Sequence, residues 1–310
     1  MKEKLILYLK GVAMGAADVV PGVSGGTIAF ISGIYETLLS SIQAFDKQAI
    51  KMLLQLEIKN FWQKINGNFL LTLLAGIGTS IISLAKLVTW LLEHQPVLIW
   101  SFFFGLVVAS AITVAKKIQK WDATLAILGL SGAIIAYWIT VATPAETPDA
   151  LWFVFFSGAI AICAMILPGI SGSFILLLLK KYHYILSALT SFKIDVIITF
   201  IVGAIFGLLS FSRVLKYLLH RFHDATIVVL TGFMVGSLNA VYPWKIVVQT
   251  YTDRHGIEKP LIRQNVSPFE YESLTHQPAY IGWAILLAIL GVFLVFFLEH
   301  YSEKFSTRAK

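Results

Sequence analysis

The chain has 310 residues, of which 57% are hydrophobic and only 13% are charged, and its mean hydropathy is +0.79. This composition excludes a water-soluble globular protein, and several apolar runs exceed the roughly 20 residues that cross a bilayer. The net charge of +7 would suggest nucleic acid in a soluble protein, but here the cations lie in short loops and indicate membrane orientation. We therefore expect an integral membrane protein with no nucleic-acid partner. With Cys163 as the single cysteine, the sequence predicts neither a metal site nor a cofactor.

The first predicted element is a broken apolar hairpin over residues 5–42, with ADVVPGVSGGTIAF at residues 17–30. Pro21 and Gly22 should break the helix, because proline lacks an N–H donor and glycine tolerates unusual dihedral angles. The arm that follows presents a helix N-terminus, where free amides and the positive end of the dipole favour phosphate. The expected phosphate-binding group in this loop is Ser24, Gly25, Gly26 and Thr27.

The rest of the first half consists of a basic insertion and three long apolar segments. Residues 46–68 carry apolar residues at helical spacing with lysines between them, which predicts an interfacial helix on the anionic cytoplasmic leaflet. Transmembrane helices are then expected at about 69–92, 97–115 and 123–142.

The second half begins with a near copy of the first motif, AMILPGISGSFILL at residues 164–177. It lies about 147 residues after the first copy and predicts a second broken hairpin over 151–190, with the helix break at Pro168 and Gly169. By the same reasoning, the expected phosphate-binding group in the second loop is Ser171, Gly172 and Ser173.

Three further apolar segments complete the second half. They are expected at about 196–219, 225–243 and 279–299, and the polar stretch 244–278 is expected to form an outer loop. Farther along each half the offset between matching residues is about 127, which relates Gly76 to Gly203.

The duplication predicts one transmembrane domain built from two repeats, residues 1–145 and 151–310. A hairpin that returns to its own side plus three crossings gives the halves opposite orientations, because three is odd. With both termini in the cytoplasm, sixteen of the 24 Lys and Arg residues fall on the inner side, as the positive-inside rule requires. The predicted fold class is an all-α integral membrane protein with two inverted-topology repeats, each a re-entrant helical hairpin plus three transmembrane helices. Such repeats with broken helices are a feature of secondary transporters.

Four charged residues within apolar runs are further candidates, because a charge in the membrane is costly. Asp18 and Glu36 are candidates for proton coupling; alternatively, Asp18 binds the loop amides and Glu36 is solvated at the membrane surface. Lys86 and Arg213 occupy equivalent positions in the two halves and are expected to bind the same phosphate. The alternative for this pair is snorkelling to the two interfaces.

Residues 14–36, MGAADVVPGVSGGTIAFISGIYE, together with 167–182, LPGISGSFILLLLKKY, resemble the bacterial polyprenyl-phosphate transporter (PopT-type) family. The resemblance implies a multi-pass protein of the bacterial cytoplasmic membrane with polyprenyl-phosphate lipid as its partner, among other membrane lipids. It also implies a flippase, not an enzyme, that returns undecaprenyl phosphate from the outer to the inner leaflet and so recycles the carrier for peptidoglycan and other envelope polymers.

Two alternatives stay open at this point. Undecaprenyl-pyrophosphate phosphatases with paired re-entrant hairpins share a Pro-Gly-Ile-Ser loop, but they typically carry an Arg after that serine, where this chain has Gly25 and Gly172. A small-anion secondary transporter would use the same two loops. The sequence does not predict the oligomeric state.

Overall fold

The computed structural model describes residues 2–19, 23–144, 147–252 and 258–306, and it gives only the backbone for Ala85 and for residues 251–252, 258–262 and 301–306. Pro21 and Gly22, the predicted first break, lie outside the described residues. The first half contains α1 (Lys2–Val19), α2 (Gly25–Ile31), α3 (Tyr35–Gln43), α4 (Lys47–Leu54), α5 (Ile58–Lys64), α6 (Gly67–His94), α7 (Pro96–Ala115) and α8 (Ala123–Val141). The second half contains α9 (Leu151–Ile166), α10 (Gly172–Leu178), α11 (Tyr182–Thr190), α12 (Ile194–Arg221), α13 (His223–Ser237), β1 (Lys245–Thr252), β2 (Glu258–Asn265), α14 (Pro268–Thr275) and α15 (Ile281–Ser306).

Five helices in the described part of the chain are long and apolar enough to cross a membrane, namely α6, α7, α8, α12 and α15. The sequence had predicted a sixth long segment at 225–243, but α13 ends at Ser237 and the chain then forms a turn. The reason is local: Asn239 has poor helix propensity, and Pro243 disfavours helical geometry in the residue before it.

The helices pack in pairs, two of them within a half and two between the halves. Within each half the first arm packs along a long helix, α1 on α6 and α9 on α12, whereas α7 packs on α15 and α8 on α13. Glycines allow the close approaches: a Cβ at Gly76 would overlap the carbonyl oxygen of Tyr8, and one at Gly203 would overlap that of Phe155. Without side chains at these positions the helix backbones touch, as is common in membrane helix pairs.

The stretch 244–278, for which the sequence predicted only a polar loop, folds as an antiparallel hairpin followed by α14. Trp244 Nε1 donates to the carbonyl oxygen of Ala279 at 2.9 Å, and Ala279 packs with Val97 and Tyr271 in a small apolar cluster. These contacts hold the hairpin against the end of the bundle where α6 turns into α7. The sequence of β1, KIVVQTYT, itself favours a strand, because it is rich in β-branched and aromatic residues.

The basic insertion forms two short helices, α4 and α5, instead of one. Asp46 caps α4 by accepting from the amide of Ala49 at 2.8 Å, and it pairs with Lys64 at 2.9 Å. The large apolar side chains of this segment stay exposed, namely those of Ile50, Leu53, Leu54, Leu56 and Ile58. Their exposure fits the predicted interfacial position, which stays a prediction.

Candidate functional site

The first junction, between α1 and α2, is a reversal of the chain. Asp18 near the end of α1 accepts from the amide of Gly25 at 2.7 Å, and Lys10 earlier on α1 donates to the carbonyl oxygen of Ser32 at 2.6 Å. Because Asp18 contacts the start of α2 and Lys10 its end, α2 runs back along α1. All seven residues of α2 are buried.

The second junction, between α9 and α10, has the same shape. A Cβ at Gly172 would lie 2.6 Å from the carbonyl oxygen of Ala161, so the start of α10 lies against the last turns of α9. Gly169 has φ +90°, a left-handed conformation that a residue with a side chain rarely adopts. A Cβ there would also lie 2.9 Å from Ser237 Oγ on α13, so both the dihedral angle and the packing require glycine at this position.

The two junctions contact each other directly, although 141 residues separate Ser24 from Met165. Ser24 Oγ donates to the carbonyl oxygen of Met165 at 2.8 Å, and the Tyr35 hydroxyl donates to that of Ile166 at 3.0 Å. In return, the amide of Gly169 donates to Thr27 Oγ1 at 3.1 Å. The carbonyl groups at the end of α9 thus find their partners on α2 and α3, which satisfies backbone that a lipid environment would leave unpaired.

The amides at the start of α2 are already occupied. Gly25 donates to the Asp18 carboxylate, Gly26 donates to Ser24 Oγ at 3.0 Å, and Thr27 donates to the Ser24 carbonyl oxygen at 2.9 Å. The structure therefore agrees with the alternative interpretation of Asp18, in which its carboxylate accepts from a loop amide. A phosphate at this helix start would have to compete with that carboxylate for the same donors.

The start of α10 is more open. Ser171 is its N-cap but makes no side-chain cap hydrogen bond, and its hydroxyl contacts that of Ser173 at 2.8 Å. Met165 occupies the position equivalent to Asp18, so this junction has no carboxylate of its own. The two junctions are therefore unlike: the first contains a carboxyl group, and the second presents a pair of hydroxyl groups.

Lys86 and Arg213 lie level with the two junctions but are not brought into contact with the junction serines. The arms run parallel to their long helices, as shown by Gly15 against Ser80 and by the Cys163 thiol 3.7 Å from the carbonyl oxygen of Gly207. Each cation lies six residues, or about 9 Å of helix, beyond that contact, where the neighbouring arm has nearly ended. Both side chains are exposed, and neither forms an ion pair with a described residue.

Glu36 lies away from the junctions, exposed in the first turn of α3, where it lines a cavity of about 260 Å³ between α3, α12 and α13. Its polar neighbours there are Ser40, Lys216, His220 and His223. Arg213, Lys216 and His220 share one face of α12, because residues spaced by three and four are neighbours on a helix. This face connects the level of the second junction to the cavity. No group of three or more His, Cys, Asp or Glu side chains that could hold a metal ion occurs among the described residues.

Lys181 is a buried structural cation that the sequence analysis did not single out, since residue type and spacing do not indicate its burial. Its side chain is 1% exposed, and its ammonium group pairs with Asp149 and donates to the carbonyl oxygen of Thr147 at 3.1 Å. The contact ties the α8–α9 connection to the start of α11.

Replacing Asp149 with alanine is expected to destabilise the protein by about 3 kcal/mol, because the buried Lys181 ammonium would lose its only described carboxylate. Lys181→Met should cost less, since it puts an apolar side chain of similar length beside the Phe153 and Tyr184 rings and leaves Asp149, which is 64% exposed, in water. Unfolding of the purified protein in detergent measures both, and an Asp149→Ala loss no larger than that of Lys181→Met would contradict this account.

Five helices with the length and hydropathy of membrane spans place the chain among multi-pass membrane proteins. A family model described as VCA0040-like, undecaprenyl phosphate translocase-like, matches residues 14–259. The chain is 49% identical over 300 residues to a polyprenyl-phosphate transporter of Vibrio cholerae serotype O1 (strain ATCC 39315 / El Tor Inaba N16961), a match that covers 97% of each chain. It is 30% identical over 261 residues to a polyprenyl-phosphate transporter of Staphylococcus aureus (strain NCTC 8325 / PS 47), covering 77% of this chain and 87% of that one.

The chain belongs to the undecaprenyl phosphate translocase-like family, as the resemblance in its two motifs had indicated. No solved structure matches it.

Proposed function

We propose that the chain is a flippase that returns polyprenyl phosphate, in the first place undecaprenyl phosphate, from the outer to the inner leaflet of the bacterial cytoplasmic membrane. The contact between the two junctions, through Ser24, Tyr35 and Thr27, is the observation that carries the proposal. Polar backbone inside an apolar bundle is tolerated only where it is buried in protein or lines a wet cavity, and in transporters it marks the substrate site. The names of the relatives support the same lipid.

The inverted arrangement of the halves is part of this proposal. In each half a first arm packs along a long helix and a short helix returns along the arm, which supports the proposal that each junction enters the bundle from its own end. With an odd number of crossings between the junctions, they approach each other from opposite membrane faces. Both termini then lie in the cytoplasm, and the β1–β2 hairpin lies outside.

The headgroup is proposed to bind at the second junction. A lipid phosphate cannot cross hydrocarbon unless it is paired and hydrogen-bonded, whereas its isoprenoid tail can remain in the lipid. The hydroxyls of Ser171 and Ser173 supply hydrogen bonds there, and Arg213 at the same level supplies a bidentate charge. Lys86 is proposed to serve the equivalent position at the first junction. The cationic face of α12 then leads the phosphate to the cavity beside Glu36, from which it is released inward.

Asp18 is proposed to couple this step to protons. Its carboxylate occupies the start of α2, where a phosphate would otherwise bind, so the two anions compete for the Gly25 amide. Protonation of Asp18 removes the negative charge that repels the headgroup and weakens the hold of Asp18 on that amide, and deprotonation expels the headgroup. Glu36, at the mouth of the inner cavity, is the second candidate for the proton acceptor.

Asp18→Asn should keep the fold, because the amide oxygen still accepts from Gly25, and should remove the dependence of transport on a proton gradient. The measurement is the inward rate of a labelled polyprenyl phosphate with and without a pH gradient, in the variant and in wild type. Asp195→Asn, in the first turn of α12, is the matched control and should respond to the gradient as wild type does. A gradient dependence that survives in Asp18→Asn would remove Asp18 from the coupling step.

Hydrolysis of a pyrophosphate lipid is the rival function, and the site argues against it. A hydrolase needs a nucleophile beside a base, but Ser24 and Asp18 are both engaged with backbone groups. Purified protein incubated with undecaprenyl pyrophosphate should release no phosphate above a protein-free control.

A leaflet-sided assay in cells tests the proposed function directly. When the chain is depleted from a strain that has no other such transporter, undecaprenyl phosphate should accumulate in the outer leaflet and become accessible to an impermeant probe. An unchanged distribution between the leaflets would overturn the proposal.

A further inference from the structure

Two cations and a tryptophan form a cluster, here called the Trp100 cluster, at the end of the bundle where α6 turns into α7. Lys245 Nζ on β1 lies 3.9 Å from the centroid of the Trp100 ring, and the guanidinium carbon of Arg263 on β2 lies 5.9 Å from it. Lys245 also donates to the carbonyl oxygen of Ala240. Trp100 is buried in α7.

The hairpin register puts the two cations on one face. Lys245 pairs with Asn265, and Arg263 pairs with Val247, so both charged residues lie at neighbouring positions on the same side of the strands. Asn265 Nδ2 donates to Asn239 Oδ1 at 2.7 Å and to its carbonyl oxygen at 3.0 Å. This bond fixes the hairpin to the chain that follows α13, so the two cations are held in position.

The positive charge of the Trp100 cluster is not neutralised by any described residue. No described carboxylate pairs with Lys245 or Arg263, whereas Lys116 and Lys181 pair with Glu299 and Asp149. Burial, and then the nearby charge of Arg263, hold the pKa of Lys245 well below its ordinary value, so a bound anion would favour the charged form of Lys245. Two like charges over one indole ring cost free energy unless an anion joins them, so the cluster is electrostatically complementary to a bound anion.

A short chain of contacts links the Trp100 cluster to the second junction. Gly169 in that junction packs against Ser237, the last residue of α13. The amide of Ala240 donates to the Ser237 carbonyl oxygen at 2.8 Å, and Ala240 in turn accepts from Lys245. Lys245 is therefore connected to the second junction through Ala240 and Ser237, which are three residues apart in the chain.

We propose that Lys245 and Arg263 form an anion-binding site that captures a phosphate monoester headgroup on the outer side of the second junction, before the headgroup enters the junction. The guanidinium of Arg263 binds two phosphate oxygens through its fork, and Lys245 provides a point charge above the Trp100 ring. The lipid as the source of that phosphate rests on the proposed function; the anion site does not, since inorganic phosphate carries the same chemistry.

Binding to the full-length protein in zwitterionic nanodiscs tests the site, with farnesyl phosphate and inorganic phosphate as probes. The variant is the double substitution Lys245→Met with Arg263→Met, which keeps the apolar stem of Lys245 over the ring. It should bind farnesyl phosphate at least about tenfold more weakly than wild type, because charge-assisted hydrogen bonds are lost. Lys193→Met, at the exposed N-cap of α12, is the control and should bind as wild type does. Equal affinity in the double variant and wild type would overturn the site.

A second measurement needs no variant and reports on this position alone. The rate at which an impermeant amine reagent acylates Lys245 is measured by mass spectrometry. It should fall at least about threefold when farnesyl phosphate is bound, as expected for an occupied site. Acylation of Lys193 in the same sample should not change. Unchanged acylation of Lys245 at a saturating probe concentration would overturn the site. Protection by inorganic phosphate at the same low concentration as by farnesyl phosphate would overturn the assignment to a lipid headgroup.

The outcomes separate this inference from the proposed function. Protection of Lys245 in a protein that moves no polyprenyl phosphate between leaflets would sustain the anion site and overturn the flippase. If the double variant transports at the full rate and binds farnesyl phosphate as tightly as wild type does, the flippase is sustained and the anion site is overturned.

Discussion

Replacing Arg213 with glutamine is expected to lower the rate of polyprenyl-phosphate transport at least about thirtyfold while leaving the protein folded. Arg213 lies level with the second junction and heads the cationic face of α12 that leads to the cavity beside Glu36. Loss of a charge that pairs with a buried phosphate costs about 2–5 kcal/mol, which corresponds to a rate lowered about thirtyfold to several thousandfold. Folding should be unaffected, because the side chain is exposed and forms no ion pair with a described residue.

Arg221→Gln provides the matched control for this prediction. Arg221 is also on α12 and exposed, but it lies in the last turn, where its guanidinium contacts the Phe222 ring at 5.6 Å. Transport by the Arg221→Gln variant should remain within about twofold of wild type, as expected for a surface substitution. Transport by Arg213→Gln at the level of this control would remove Arg213 from the site and would favour its reading as a snorkelling residue.

Substitution of Gly203 by alanine is expected to destabilise the protein by about 3 kcal/mol, the upper part of the range for overpacked sites. The new Cβ would overlap the carbonyl oxygen of Phe155 on α9, and a backbone atom cannot rotate away as a side chain does. Helices α9 and α12 would have to separate, which would also displace the second junction at the end of α9. We therefore expect both a lower midpoint of unfolding in detergent and a loss of transport.

Gly78→Ala on α6 is the control for Gly203→Ala, because no described atom outside the adjoining helix backbone lies within 4 Å of the position a Cβ would take. In an open helical position alanine is more favourable than glycine by about 1 kcal/mol. The two substitutions should therefore shift the unfolding midpoint in opposite directions. Equal shifts would show that the contact of Gly203 with Phe155 contributes nothing to stability.

The sequence was informative where the cause of the structure is local. Pro168 and Gly169 mark the second junction because glycine alone readily adopts the φ of +90° found at Gly169. The relation of Gly76 to Gly203, at an offset of about 127, likewise marks positions where two helix backbones touch. The sequence predicted the break at Pro168 and Gly169 and the equivalence of Gly76 with Gly203, but only the structure shows which helices these two glycines contact.

The sequence could not show which partner a polar group finds across the molecule. That Ser24 binds the carbonyl group of Met165 depends on how the halves pack, and no local pattern encodes it. The same holds for Lys181, whose burial depends on Asp149 from the α8–α9 connection, and for the Lys245–Arg263 pair on a hairpin that appeared as a plain loop. Asp18 had two readings because its role depends on the distance to Gly25, which only the structure provides.

Transport by the purified wild-type protein in liposomes tests the central claim most directly. A fluorescent polyprenyl phosphate is placed in one leaflet, and its arrival in the other leaflet is followed with an impermeant quencher. The account predicts fast transfer that needs the phosphate, so that the corresponding polyprenol with the same label shows no acceleration by the protein. Transfer no faster than in protein-free liposomes would contradict this account. Equal acceleration of the polyprenol would also contradict it, because the protein would then not act on the phosphate headgroup.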